Sequence, residues 1–488
     1  MKKEIKIEKL PDLKKAREKK EHIEYFEYLV KPSEFLLNFF DGKKYYIRTY
    51  GCQANMRDSE TLAGLLECLK MNKTEVVDDA DLIILNTCCV RENAEDKVFG
   101  EIGALKALKN KNPNLLIVVC GCMVEQTHIV NKLLDTYKQV DLIFGTHDIY
   151  NFLNLLEQTV KENVRLVDVT SSAGDVYEIS QSARDDKFKA FVNVSYGCDK
   201  FCSYCIVPYT RGRERSRRKE DILCEVNRLL EKGYLEIILL GQNVNSYGKD
   251  LYEDYDFSNL LEDVAKTGVK RLRFLTSHPW DFNDKMIDVI SKYDNIMKYI
   301  HLPVQSGSDS ILRLMNRRYT SKQYLDLVNK LKEKIPNLAL STDIIVGFPN
   351  ESDEEFEDTI KLVKEVKYDS AFTFIYSPRV GTPAAKIKDN VTSKEKSIRF
   401  TRLVKELEKI IEEKSNAMVG KVFDVLVEGV SKKNSDVLSG YNQNNKLVNF
   451  KGDPSLIGKI VNVKIIESHT YSLIGELVSD DWKFFWWY

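Results

Sequence analysis

A chain of 488 residues is too long for one hydrophobic core and predicts two to four domains. Hydrophobic residues at 43% and charged residues at 30% are those of an ordinary globular protein, and 73 Lys+Arg against 74 Asp+Glu exclude a polycation. Any nucleic-acid contact must therefore come from local patches.

Residues 1 to about 40 are rich in Lys and Glu with weak helical periodicity, and read as a partly disordered or loosely helical charged extension. They contain no apolar run of the kind found in a secretory signal. No apolar run in the chain reaches the roughly 20 residues needed to cross a bilayer, so the expected location is the cytoplasm, with no membrane partner.

From 43 to 161 apolar strands alternate with helical stretches. KYYIRTYG, DLIILNT, LLIVVCG and VDLIFGT read as strands, and DSETLAGLLECLK, ENAEDKVFGEIGALKALKN and THIVNKLL as helices. Continuous apolar strands separated by helices predict a parallel sheet covered on both faces. From 184 to 415 the alternation restarts for six units, with strands in KAFVNVSYG, LEIILLGQ, RLRFLTS, MKYIHLPV, LALSTDIIVGF and SAFTFIYS, and ends in a charged helix near 393–414. Six β/α units predict a barrel-like parallel sheet with reactive groups on the loops after the strands. From 417 to 480 short alternating strands separated by turns predict a small all-β barrel, followed by the aromatic tail DWKFFWWY at 481–488, which either folds back or lies on a membrane surface.

In a reduced cytosolic protein of this size, ten cysteines point to metal or redox chemistry rather than disulfides. Cys198-Asp-Lys-Phe-Cys202-Ser-Tyr-Cys205 follows the first strand of the six-unit domain. Three thiolates at this spacing can each hold one iron of a [4Fe–4S] cluster and leave the fourth iron without a protein ligand. The alternatives are a zinc site or three buried thiols. A structural zinc wants a fourth ligand, and no partner pair stands nearby among only six His. A second set, Cys52, Cys88 and Cys122, stands at the ends of three successive predicted strands about thirty-five residues apart, where the carboxyl edge of a parallel sheet would gather them. The alternative is that these are small buried hydrophobes, the reading given to Cys68, Cys89, Cys120 and Cys224.

The CxxxCxxC loop after the first strand of a partial (β/α)6 barrel resembles the radical S-adenosylmethionine superfamily. That resemblance implies reductive cleavage of S-adenosylmethionine to a 5′-deoxyadenosyl radical. It also implies cofactor contacts from Tyr204 near the adenine, Gly241, Gln242 and Asn243 after the second strand, Gln305 and Ser306 after the fourth, and Asp343 in the fifth-strand segment 343–349. The contexts Tyr50-Gly51-Cys52-Gln53, Asn86-Thr87-Cys88-Cys89-Val90-Arg91 and Gly121-Cys122 are similar to the methylthiotransferase family within that superfamily. Its members carry a second [4Fe–4S] cluster and a C-terminal TRAM-type RNA-binding barrel. The family implies that one S-adenosylmethionine methylates a sulfur held at the second cluster while another generates the radical that activates the target carbon. Residues 55–60 and 91–97 most resemble the branch acting on N6-(dimethylallyl)adenosine (isopentenyladenosine) at position 37 of tRNA, next to the anticodon. A ribosomal-protein aspartate or N6-threonylcarbamoyladenosine in tRNA is the alternative substrate, and an iron–sulfur RNA-binding protein without catalysis is the alternative class. The expected partners are the tRNA anticodon loop and a reductant such as flavodoxin or ferredoxin, with the sulfur donor unassigned and the chain a monomer.

A basic run, Arg211, Arg213, Arg215, Arg217 and Arg218, follows the cysteine loop, either to grip phosphates or to pair internally; composition favours pairing. Between 421 and 476 seven Lys face six acids, so RNA binding by the terminal barrel rests on resemblance and shape rather than on charge.

Overall fold

The computed structural model describes residues 3–18, 20, 22–28, 31–89, 92–171, 174–179 and 182–478. The apolar run Leu82–Thr87 is buried at every residue and lies inside a seven-stranded sheet. The order across that sheet is Ile5–Lys9, Arg165–Asp168, Leu142–Phe144, Leu116–Gly121, Leu82–Thr87, Lys44–Thr49 and Asn72–Lys73, with every neighbouring pair parallel. Helices Gln53–Glu67, Glu92–Lys111, Thr127–Thr136 and Phe152–Lys161 make the crossovers. Burial on both faces explains why these strands read as continuous rather than alternating.

The N-terminal segment differs from its reading as an extension. Ile5–Lys9 adds to the sheet edge beside Arg165–Asp168, and Tyr25–Tyr28 pairs in parallel with Val176–Ile179. Helix Glu34–Phe40 is capped by Ser33 and buries Leu36 and Phe40. Short length and the charged residues around them conceal these strands in the sequence, and each gains its order from the strand it pairs with rather than from its own propensity. The tail at 481–488 lies outside the described residues.

The six predicted strands of the second unit are Lys189–Asn193, Glu236–Leu240, Arg271–Phe274, Tyr299–His301, Ala339–Val346 and Ser370–Ile375. They pair in parallel as two groups of three, joined by a single bridge between Leu272 and Ile296. The result is an open, partial barrel whose interior and helix-facing residues form one large apolar core. Helix Ser393–Asn416, capped by Thr392 and Glu395, packs along it.

Five strands, Val422–Ser431, Asn434–Asn442, Leu447–Lys451, Ile460–Ser468 and Ser472–Leu477, close into the small terminal barrel. Arg271, only 2% exposed, joins it to the base of the partial barrel by donating to the Tyr441 carbonyl at 2.7 Å and the Asp424 carbonyl at 2.8 Å. Arg271→Met removes both of these donated bonds from the half-buried junction. The expected cost is about 3 kcal/mol, read as a lower urea midpoint together with earlier proteolytic release of residues 417–478.

Candidate active site

The short pair Ser195–Tyr196 with Arg215–Ser216 pinches residues 197–214 into a loop above the first barrel strand. Gly197 enters it at φ +74°, and a Cβ there would lie 2.1 Å from the Arg213 carbonyl, so only glycine fits. Asp199 accepts from Arg213 Nε at 2.7 Å and from the Glu214 amide at 3.0 Å, fixing the loop's return. Ser203 is anchored to the Leu314 and Met315 carbonyls at 2.7 and 3.0 Å. The cysteines this framework carries are electrostatic neighbours of one another. Burial first, and then the other thiols, push Cys198 upward and Cys205 to about 12. Thiols in that setting become thiolates when a metal cation neutralises them, and a three-thiol donor set suits an iron–sulfur cluster. Arg317 Nη1 donates to Cys202 Sγ at 3.6 Å.

The residues expected to contact the cofactor surround the same strand ends. Asn243 is buried and donates to Asp281 Oδ2 at 2.7 Å, the Gln242 side-chain carbonyl accepts from the Gly197 amide, and Gly241 lies against Ser195 Oγ. Gln305, at φ +73°, donates its amide to the Asp343 carbonyl at 2.9 Å and ties the fourth strand to the fifth. Ser306 is fully buried against Thr359, and the Asp343 carboxylate faces His301 Nε2 at 3.4 Å. Tyr204 packs beside Phe348, Tyr376 and Met315. Around this ring Ser195 Oγ, Asn243 Oδ1, Ser277 Oγ, His278 Nε2 and Tyr376 OH are buried without a hydrogen-bond partner. All five follow carboxyl ends of barrel strands. Orphaned polar atoms at this sheet edge fit a polar cofactor that would satisfy them.

Glu214, next to this ring, is pushed by burial to about 7 despite the Ser246 hydroxyl donating to it. The folded state therefore holds a proton that the unfolded state, with its ordinary value of 4.5, gives up. Stability of cluster-free protein is expected to fall by about 3 kcal/mol as pH rises from 4.5 through 7. Glu214→Gln is expected to flatten that slope in urea titrations at successive pH values.

Cys52, Cys88 and Cys122 stand where the three adjacent strands Lys44–Thr49, Leu82–Thr87 and Leu116–Gly121 end. Thr49 is level with Asn86 and Thr87 with Gly121, which puts Cys88 and Cys122 at one height. Gly121, at φ +94°, has the Thr87 carbonyl 2.4 Å from where a Cβ would be, so the two strand ends approach closely only with glycine there. The remaining motif residues brace these ends. Asn86 donates to the Asn55 carbonyl and to Ser59 Oγ, both at 2.9 Å, and Asn55 donates back to Asn86 Oδ1 at 3.1 Å.

Two residues of this site carry no expectation from their spacing. Cys89, read as a buried hydrophobe, donates to Cys122. That bond and the Arg211 guanidinium hold Cys122 below its ordinary value, while Cys89 is pushed up. Arg211 comes from the other domain's loop and donates Nε to Cys122 Sγ at 3.2 Å and Nη2 to Asp58 at 2.6 Å. Cys89 and Cys122 pack with Ile206, Tyr209 and Phe201, so the two cysteine loops meet in one apolar patch. Cys120 is buried as expected, Cys68 is half-buried, and Cys224 is exposed on its helix rather than buried.

Four of the five arginines of the basic run are paired internally, Arg211 with Asp58 among them, and Arg215 has no acid within ion-pair distance among the described residues. Arg213 binds Asp199, Arg217 binds Glu178 and Glu225, and Arg218 binds Asp221. None of these pairs leaves a phosphate clamp.

Three family models match the chain: the radical SAM superfamily over residues 192–363, an uncharacterized protein family designated UPF0004 over 44–145, and the TRAM domain over 416–478. The fold agrees with that of a radical S-adenosylmethionine methyltransferase, TsrM, from Kitasatospora setae, at a TM-score of 0.50 and 13% identity over 70% of this chain and 75% of that one. The partial barrel and its CxxxCxxC loop thus define a radical S-adenosylmethionine protein, a class that works with a [4Fe–4S] cluster and S-adenosylmethionine. Proteins named tRNA-2-methylthio-N(6)-dimethylallyladenosine synthase from Bacillus subtilis and Geobacillus thermodenitrificans are 52% identical over 472 residues, covering 96% of this chain and 92% and 90% of theirs. The chain belongs to the family of tRNA-2-methylthio-N(6)-dimethylallyladenosine synthases.

Proposed function

We propose that this chain converts N6-(dimethylallyl)adenosine at position 37 of tRNA to its 2-methylthio derivative. The observation that carries the reading is the junction at Arg211, where the loop bearing Cys198, Cys202 and Cys205 packs against the strand ends bearing Cys52, Cys88 and Cys122. The first three cysteines hold one [4Fe–4S] cluster and the second three hold another. Together with S-adenosylmethionine, these groups supply a carbon radical at one site and a transferable sulfur at the other.

The chain's own residues position and seal. Tyr204, Gly241, Gln242, Asn243, Gln305, Ser306 and Asp343 orient the cofactor over the barrel mouth. Ile206, Tyr209 and Phe201 exclude water between the two cysteine sets. Arg317 and Arg211 each place a guanidinium against a cysteine sulfur, which lowers the negative charge felt at each thiolate. The domains extend over 43–161, 184–415 and 417–480, with the last contacting the tRNA. The enzyme works as a cytoplasmic monomer fed by flavodoxin or ferredoxin. No helix among the described residues is long and apolar enough to cross a membrane.

Nucleoside mass spectrometry of a deletion strain tests the substrate. The 2-methylthio nucleoside is expected to vanish while its dimethylallyl precursor accumulates, and persistence of the methylthio form would reject the assignment. Anaerobically reconstituted protein is expected to hold about eight irons per chain, and about four would remove the second cluster.

A further inference from the structure

A cavity of about 220 Å³ lies between the N-terminal sheet and the partial barrel, next to the two cysteine sets but outside them. Arg211 and Asp58, which wall it on one side, are the pair that reaches Cys122. The carboxylates of the lining are already matched. Asp58 pairs with Arg211, Asp175 with Lys20, Glu178 with Arg217, and Glu225 with Arg57, Arg184 and Arg217.

Arg215 is the exception. It is 7% exposed and has no acid within ion-pair distance among the described residues. Its one protein acceptor is the Gly174 carbonyl, at 3.3 Å from Nη1, and its Nε is buried without a partner. The Tyr196 ring lies 5.9 Å from the guanidinium. Burial lowers Arg215 to about 10. Half-buried His147 lines the same space, and burial, Arg215 and Arg211 hold it far below its ordinary value, so it is neutral and keeps a ring N–H to donate. A buried guanidinium that Asp250 and Asp175 reach only from beyond ion-pair distance is costly, and an anion in the adjoining space lowers that cost. The volume is below the roughly 300 Å³ at which pockets for drug-sized molecules begin, which excludes a nucleotide and admits a small inorganic ion with a few waters.

We propose that this cavity binds a small monovalent anion between Arg215 and His147, and that its occupant is hydrosulfide, the anionic form of the sulfur atom the reaction consumes. The second half rests on the proposed function. The first half stands on the cavity alone.

Bromide is the probe. Crystals of cluster-loaded protein soaked in bromide are expected to show an anomalous peak within hydrogen-bonding distance of Arg215 that disappears in Arg215→Gln. His147→Phe, the milder variant, is expected to lower its occupancy. A wild-type crystal without the peak overturns the site. So does a peak that appears only in concentrated soaks and is unchanged by either variant, which would mark an adventitious ion only. Hydrosulfide added to the soak is expected to displace bromide. Arg215→Gln is expected to raise the sulfide concentration for half-maximal methylthiolation by about tenfold or more, a loss of about 1.4 kcal/mol in binding, while leaving 5′-deoxyadenosine formation unchanged. Bromide that stays bound at sulfide levels saturating turnover overturns the hydrosulfide assignment. Bromide binding in an enzyme that transfers no sulfur supports the anion site and overturns the hydrosulfide assignment together with the function beneath it.

Discussion

Replacing any one of Cys198, Cys202 or Cys205 by Ala is expected to abolish 5′-deoxyadenosine formation from S-adenosylmethionine under dithionite. Replacing Cys52, Cys88 or Cys122 is expected to spare that cleavage and abolish methylthiolation. The split follows from where the thiols stand. The first three share one loop pinned by Asp199, Ser203 and the Ser195–Tyr196 pairing, and that loop lies beside the ring of unpartnered polar atoms at the barrel mouth. The second three end strands of a different sheet, where Arg211 from the barrel's loop donates to Cys122, and Cys89 and Cys122 pack with Ile206, Tyr209 and Phe201. With two thiolates left, an iron–sulfur cube lacks one of its three protein anchors. Anaerobic single-turnover assays that quantify 5′-deoxyadenosine and the methylthio nucleoside in parallel read both halves. Methylthiolation at the wild-type rate in Cys122→Ala would remove the second set from the reaction.

The next largest effect is expected at Arg211. Its guanidinium and the Asp58 carboxylate are both less than one-tenth exposed and 2.6 Å apart. Arg211→Leu leaves Asp58 buried without its counter-charge and Cys122 without its guanidinium donor, and breaking a buried pair from one side costs about 3–5 kcal/mol. The loss is expected as a lower urea midpoint with an unchanged slope. Because the pair bridges the two domains, it is also expected as faster proteolysis within residues 197–214. The double variant Arg211→Leu, Asp58→Leu is expected to recover most of the stability without recovering methylthiolation. Recovered stability follows because removing both charges removes the unpaired one. Methylthiolation stays lost because no N–H then reaches Cys122.

The regular elements that position both cysteine sets were legible because their pattern is local. Continuous apolar runs such as Leu82–Thr87 and Leu116–Gly121 admit only a strand buried on both faces, and the Cys198–Cys205 spacing is a chemical statement by itself. The adjacency of the strand ends that precede Cys52, Cys88 and Cys122 was also readable, since parallel strands place their carboxyl ends on one edge whatever lies between them. The strand Ile5–Lys9 was not, because its alternation of Ile and charged residues is only five residues long, its Ile5 and Ile7 stay exposed, and its order comes from the neighbouring edge. The pairing of the arginine run was weighable from composition, with Asp199 and Asp221 close in the chain, but for Arg211 and Arg217 it was decided by acids far away, Asp58 and Glu178.

The sequence by itself determined the chemistry's raw material: two groups of thiols, the domains that carry them and the family to which they belong. Only the tertiary structure decided that Arg211 spans the two groups, that Cys89 stands among them, and that Arg215 is buried beside a cavity with no acid in ion-pair range among the described residues. Pairing, burial and the lack of a close ion pair depend on distances between residues remote in the chain, and no local pattern encodes those distances.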